Sequence, residues 1–229
     1  MTRCASERET PGEGLGWTPP AQLRIHIQTP RLLIRAYTLD DVPAVFDAVN
    51  ASRDALIPWM PWAATDHREL AGSAQYISSQ IVAASDPQKL AGEGALKGVG
   101  VGIFEPDGAF VGATGFHDLR PSTASAETGY WIRADRHGRG YCTEAIGHWL
   151  SWLLAAQAAG GMGLQRMRIY CSSENRASQR IPQKLGLKQE VHQRADYHVP
   201  GVGVTDRLGW GVLAGEWDCG KHRIRAERE

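Results

Sequence analysis

Between Thr128 and Leu154 three structural signals abut, and they restrict the fold of this chain more than any other stretch. Thr128-Gly129-Tyr130-Trp131-Ile132 is rich in residues that favour strands. His137-Gly138-Arg139-Gly140 follows as a glycine-bearing turn. Beyond it, Ile146, Trp149, Leu150, Leu153 and Leu154 recur at helical spacing. A strand, a turn and a helix start therefore meet. Gly138 and Gly140 permit positive φ and let a ligand approach the main chain. The amides at about 140 to 143 open the helix without intrahelical partners. Together these features suit a phosphate or pyrophosphate. An ordinary strand-to-helix turn has the same Gly-x-Gly. The chain lacks both Gly-x-Gly-x-x-Gly followed by an acid about twenty residues on and a Walker-type Gly-Lys-Ser/Thr.

The remaining elements follow in order. Thr29 to Arg35 is a first strand. A helix starts at Asp40 or Asp41 and presents Val42, Val45, Phe46 and Val49 on one face. In Leu56 to Trp62, Pro58 and Pro61 exclude regular structure, and Trp59 and Trp62 form either a packed surface loop or an aromatic wall over a pocket. A second helix fits Asp66 to about Ala84. Val99, Val101 and Ile103 alternate as a strand, Glu105-Pro106-Asp107-Gly108 turns, and Phe110 to His117 returns as a hairpin partner. Glu127 to Arg133 leads into the glycine turn. Gly160 to Gly163 ends the central helix, and Arg166 to Cys171 alternates as a strand. Asn175 caps a short helix through Lys184. Strands at about 187 to 193 and 207 to 213 complete the set. Pro182 lies inside the short helix, where proline costs about 3 kcal/mol, kinks the helix and frees the carbonyl four residues back, that of Ser178. The order β-αα-βββ-α-β-α-ββ implies the α+β class, a mixed and mostly antiparallel central sheet with helices on both faces.

A length of 229 residues suits one core domain, expected over 23–218, with a mobile leader over 1–22 and a basic, polar tail over 219–229. Twenty-five acidic and 25 basic residues cancel, which points away from nucleic acid. Apolar runs fall well short of the eighteen or so residues that span a bilayer, and the start of the chain lacks the charged-then-apolar pattern of a signal peptide. Cys4, Cys142, Cys171 and Cys219 are widely separated and form no metal-ligand pairs. Reduced cysteines in a cytoplasmic protein are the expectation. Cys142 is either a small structural residue or a thiol with a lowered pKa at a helix start.

The turn resembles the acyl-CoA loop of the GNAT acetyltransferases, Arg/Gln-x-x-Gly-x-Gly/Ala. Gly140 matches that pattern. His137 and Cys142 depart from it, although a histidine can donate to a phosphate and a cysteine is nearly as small as alanine. Further matches span Thr29 to Trp217 and are similar to the RimJ/RimL branch. They are Thr29-Pro30-Arg31-Leu32, Trp59-Met60-Pro61-Trp62, Gly115-Phe116-His117, Glu127-Thr128-Gly129-Tyr130-Trp131, Asn175 to Ser178 before Lys184-Leu185-Gly186, and Glu216-Trp217. Leu187 and Trp210 stand where that branch usually has phenylalanine and tyrosine.

The resemblance implies the GNAT fold and direct transfer of an acetyl group from acetyl-CoA to a primary amine in a ternary complex, without a metal. It implies cofactor contacts from Trp131, Ile132 and Arg133 on a splayed strand, from the loop residues His137, Gly138, Arg139, Gly140, Tyr141, Cys142 and Thr143, and from Asn175 and Ser178. Glu127 is the expected base, with a plain strand-end carboxylate on a solvated face as its alternative; His117 is the rival base, or otherwise a packed strand histidine. Ser178 is the candidate proton donor near the sulfur; helix capping would equally account for Asn175 and Ser178. Trp59, Trp62 and His117 are expected on the acceptor side. Expected partners are an amine-bearing protein N-terminus or small molecule, with a homodimer left open and no nucleic acid or membrane. A non-catalytic acyl-CoA-binding sensor or scaffold is the alternative function.

Overall fold

The computed structural model describes residues 16–90 and 98–222. Residues 1–15 of the expected leader and 223–229 of the expected tail lie outside them. One eight-stranded sheet runs through the molecule in the order β1-β2-β3-β4-β5-β6-β8-β7. Its strands are β1 (His26–Gln28), β2 (Leu33–Arg35), β3 (Val99–Phe104), β4 (Phe110–Arg120), β5 (Ser125–Ile132), β6 (Arg166–Ser172), β7 (Lys188–Val199) and β8 (Gly203–Leu213). Every pairing is antiparallel except β5 with β6. That parallel pairing covers only Ser125–Glu127 against Arg166–Arg168.

Helices α1 (Val42–Leu56), the single turn α2 (Trp62–Thr65) and α3 (Leu70–Ser85) precede β3; α4 (Tyr141–Leu154) and α5 (Arg176–Lys184) follow β5 and β6. Val42, Val45, Val49 and Ile77 of α1 and α3 pack with Phe104, Phe110 and Ala113 of the sheet. α4 packs on the other face and is buried throughout Ala145–Leu154, with Trp149 and Trp152 stacked 5.0 Å apart. No described helix is long and apolar enough to cross a membrane.

The structure departs from the sequence expectation in several places. Thr29 to Arg35 is a turn followed by a strand, with β1 as an additional strand before it. Thr29 closes this turn: its amide donates to Leu32 O (2.8 Å), and its hydroxyl accepts from Leu32 N–H (2.8 Å) and Arg31 N–H (3.3 Å). Pro30 offers no amide to a ladder, so the chain turns there. The second helix begins at Leu70 rather than Asp66, and Trp62–Thr65 forms a helical turn beyond Pro61. The β7–β8 hairpin extends to Val199↔Gly203, further than the expected strands. β7 is exposed along most of its length, so the apolar alternation that marks a half-buried strand is missing there.

Both expected appendages dock where they are described. Trp17 Nε1 donates to Met162 O (3.1 Å), and Gln157 Nε2 donates to Thr18 O (2.8 Å). His222 stacks on Trp217 at 5.4 Å, and its ring occupies the space a side chain at Gly147 would need. Cys142 and Cys171 are free thiols, whereas Cys219 is disulfide-bonded, against the expectation of reduced cysteines.

Candidate active site

The glycine turn is held open by positive φ, with Gly138 at 76° and Gly140 at 80°. A side chain at Gly138 would project into open space; one at Gly140 would meet only Arg31 Nη2, at 3.4 Å. Gly140 is the N-cap of α4, and the helix's first bond runs from Glu144 N–H to Gly140 O (3.1 Å). The amides of Tyr141, Cys142 and Thr143 precede that bond, where a helix start carries partial positive charge.

Neighbouring side chains brace the turn. Glu144 accepts from Thr29 Oγ1 (2.6 Å), from Arg31 N–H (2.9 Å) and from Arg31 Nε (2.7 Å). Arg31 Nη1 donates to Arg139 O (3.0 Å), and Tyr141 Oη donates to Glu105 (2.7 Å). His137 Nε2 lies 2.8 Å from Ile132 O. A carbonyl only accepts, so Nε2 carries the proton. Nδ1 could then donate to an anion only in the imidazolium form. Burial pushes the Cys142 thiol up to about 12, which disfavours the thiolate that a nucleophile needs.

β5 and β6 diverge after Glu127. From Thr128 to Ile132, β5 pairs only with β4, and β6 continues against β8. The gap opens beside Trp131, whose ring meets Trp62 at 6.2 Å and Phe110 at 5.8 Å. Trp62 also stands edge-on to His67 at 5.6 Å. Trp59 takes no part in this aromatic cluster. Arg133 is committed elsewhere: its amide donates to Val111 O (2.9 Å) and its guanidinium pairs with Asp135 (3.0 Å).

At the divergence, Glu127 and His117 are cross-strand partners, with Nε2 of the histidine 3.2 Å from the carboxylate. The Glu127 side chain is 17% exposed, that of His117 53%. The two rival bases therefore form one pair. Alternation puts Glu127 on the same face as Trp131. Gly129, between them, adds nothing to fill the space; a side chain there would meet only His117, at 3.6 Å.

Tyr130 points to the opposite face. Its hydroxyl donates to Ser178 O (3.1 Å) and lies 3.3 Å from Ser178 Oγ. That carbonyl is the one Pro182 deprives of a helical donor. α5 remains one continuous helix of nine residues with Pro182 inside it, because the tyrosine replaces the missing amide. Asn175 Oδ1 accepts from Ser178 N–H (3.0 Å), so Asn175 caps α5. Burial pushes the nearby Cys171 thiol up to about 11.

The acetyltransferase (GNAT) domain family matches residues 31–188, most of the chain. The chain belongs to the GNAT acetyltransferases.

Among its relatives is a candidate ribosomal N-acetyltransferase, YdaF of Bacillus subtilis (strain 168), 28% identical over 123 residues. That match covers 54% of this chain and 63% of YdaF, so the chain spans less than two thirds of this relative's length. Solved structures share the fold. The ribosomal L7/L12 α-N-protein acetyltransferase RimL in complex with coenzyme A superposes with a TM-score of 0.69 at 17% identity, covering 82% of this chain and 97% of RimL. The microcin C7 self-immunity acetyltransferase MccE, in complex with acetyl-CoA and AMP, gives 0.67 at 18% identity, covering 85% and 97%. The ribosomal-protein-S5-alanine acetyltransferase of Vibrio fischeri gives 0.69 at 15% identity, covering 85% and 99%.

Within this GNAT fold most of the anticipated residues fall into three groups. Gly138 to Thr143 form the turn and helix start; Trp62, Trp131, His117 and Glu127 line one face beside the splay; Asn175 and Ser178 open α5. Sequence reasoning missed Tyr130, although the carbonyl freed by Pro182 signalled that a donor was needed. It also missed Arg168 and Arg207, which line a cavity beside Glu127. The signal for Arg168 was its place in Arg166-Met167-Arg168-Ile169, polar alternating with apolar.

Proposed function

We propose that this GNAT protein transfers the acetyl group of acetyl-CoA directly to a primary α-amine, that of a peptide or protein N-terminus or of an amino-acid-like small molecule, in the cytoplasm. The observation that carries the proposal is the divergence of β5 from β6, with a helix N-terminus beyond its open end and Glu127 where the strands part. The turn fits a CoA diphosphate: two glycines at positive φ leave the backbone bare, and three helix-start amides are available to an anion. The unpaired edge of β5 fits the pantetheine arm, since a main chain without a strand neighbour needs other hydrogen-bond partners.

Acetyl-CoA supplies the activated acetyl group; the residues of this chain do the rest. Binding amine and donor side by side removes much of the entropic barrier. Glu127 accepts the amine's proton, and the His117 pairing orients its carboxylate. Ser178 Oγ, held in place by Asn175 and Tyr130, can pass its proton to the departing thiolate while taking one up from solvent, and Glu127 releases the amine's proton to solvent.

An α-amine has a pKa of about 7.7–8.0 and lysine about 10.4, so at pH 7.5 roughly a quarter to two-fifths of α-amines are neutral against about one lysine in a thousand. One carboxylate suits the former. The names of YdaF, RimL and the Vibrio fischeri enzyme favour a ribosomal-protein acceptor. The test is CoA-thiol release with a peptide bearing a free N-terminus and with its N-blocked, lysine-containing twin. The free peptide is expected to be the better acceptor by at least tenfold; equal or faster acetylation of the blocked twin overturns the assignment.

A further inference from the structure

Beside Glu127, on the sheet face that carries α1 and α3 but beyond the part those helices cover, lies a cavity of about 210 Å³ whose lining includes Asp118, Arg120, Arg168, Tyr170 and Arg207. Arg168 is the register partner of Glu127 on the adjacent strand, roughly 4.8 Å away in the backbone. Its side chain is only 8% exposed. Nη2 donates to Asp118 Oδ2 (3.0 Å) and to Asp118 O (3.2 Å), while Nε is buried with no hydrogen-bond partner among the described residues.

Asp118 is shared, because Arg120 pairs with the same oxygen at 2.6 Å. Arg207 lies over the Tyr170 ring at 4.4 Å, and the nearest Asp196 oxygen is 3.8 Å away. Its Nε is likewise buried without a partner. The cavity thus gathers three guanidinium groups against two carboxylates, one of which, Glu127, is paired with His117. A buried guanidinium is costly to leave incompletely paired, and a carboxylate is its best-matched planar partner.

We propose that this cavity is an acceptor subsite for a carboxylate carried close to the reacting amine, with Arg168 its principal ligand and Arg207 flanking. The chemistry has two sources: the α-carboxylate of a free amino acid, or an Asp or Glu side chain at the second position of a peptide. Either puts a negative charge a few ångströms from an amine held at Glu127, which matches neighbouring strands. The inference rests on the acetyltransferase reading for the identity of the amine, but the anion site itself is a matter of binding.

The experiment therefore measures binding and turnover separately, on the full chain with CoA or acetyl-CoA present. The probes are a peptide with Asp at position two, its Asn twin, a free amino acid and that amino acid's amide. Calorimetry should show the acidic peptide binding about tenfold tighter than the Asn twin, with the same order in kcat/KM. The free amino acid against its amide shows whether an α-carboxylate suffices. In Arg168→Gln the acid-to-amide ratio should fall towards one. Arg207, at 35% side-chain exposure, is the less buried of the two, and Arg207→Gln should lower the ratio about threefold. Equal binding of both twins by the wild type, or an unchanged ratio in both variants, overturns the subsite. Selective, Arg168-dependent binding without turnover of any amine upholds the subsite and removes the acetyltransferase reading instead.

Discussion

The Tyr130 hydroxyl serves a carbonyl that Pro182 leaves without its helical donor. Burial pushes the Tyr130 phenol well above its ordinary range, so it remains a donor through neutral pH. Tyr130→Phe should cost about 1–3 kcal/mol, the penalty of a buried acceptor left unmet. Pro182→Ala restores an amide opposite Ser178 O, so in the Tyr130→Phe background it should recover most of that loss. Urea unfolding of the four proteins in this cycle measures the coupling, and strictly additive effects would show that the tyrosine and the proline act independently. Glu127 belongs to the same scale. Glu127→Gln should lower turnover by about 10²-fold at neutral pH while leaving acetyl-CoA binding in place. The deficit should shrink as pH rises, because the amine then loses its proton to solvent. Wild-type rates across the whole pH range would move the base's role to His117 or to water.

Between elements, the contact that matters most for the site joins the β1–β2 turn to the first turn of α4. Burial pushes the Glu144 carboxyl up, but the hydrogen bonds from Thr29 and Arg31, together with the Arg31 charge, outweigh it and hold the carboxyl below its ordinary value. The unfolded side chain titrates at about 4.3. The clamp therefore contributes fully above that pH and is lost as pH falls through the lower folded-state value. Glu144→Gln should destabilise the protein by about 1–3 kcal/mol at pH 7, as expected for hydrogen bonds to a charged group at a site only 12% exposed. Urea midpoints of wild type and variant should differ by a constant amount from pH 6 to 8 and draw together as pH falls below about 4.3. A difference that persists undiminished to pH 3 would mean the ionised carboxylate is not what stabilises the clamp. Acetyl-CoA affinity should fall in the same variant, since Glu144 anchors the Arg31 that braces the turn at Arg139.

Across the whole molecule, what was legible in the sequence is what local chemistry dictates. The apolar spacing of Ile146, Trp149, Leu150 and Leu153 specifies α4, and the glycines before it specify the turn; both are properties of neighbours in the chain. The order of elements and the GNAT resemblance follow from the same kind of information. The sequence was least informative where periodicity is absent. Exposed β7 has no buried face to betray its length, and the Thr29 turn depends on hydrogen bonds that a strand-like composition conceals. Only the tertiary structure decided which distant residues meet. Parallel pairing that stops at Glu127 creates the splay, and no residue's propensity encodes where a neighbouring strand departs. Sheet register likewise turns the two rival bases, His117 and Glu127, into one pair, and puts Arg168 beside them. Local sequence chooses each element from short-range sterics and burial. The charges assembled at the site follow from long-range packing, which brings β4, β5, β6 and β8 together whatever their separation along the chain.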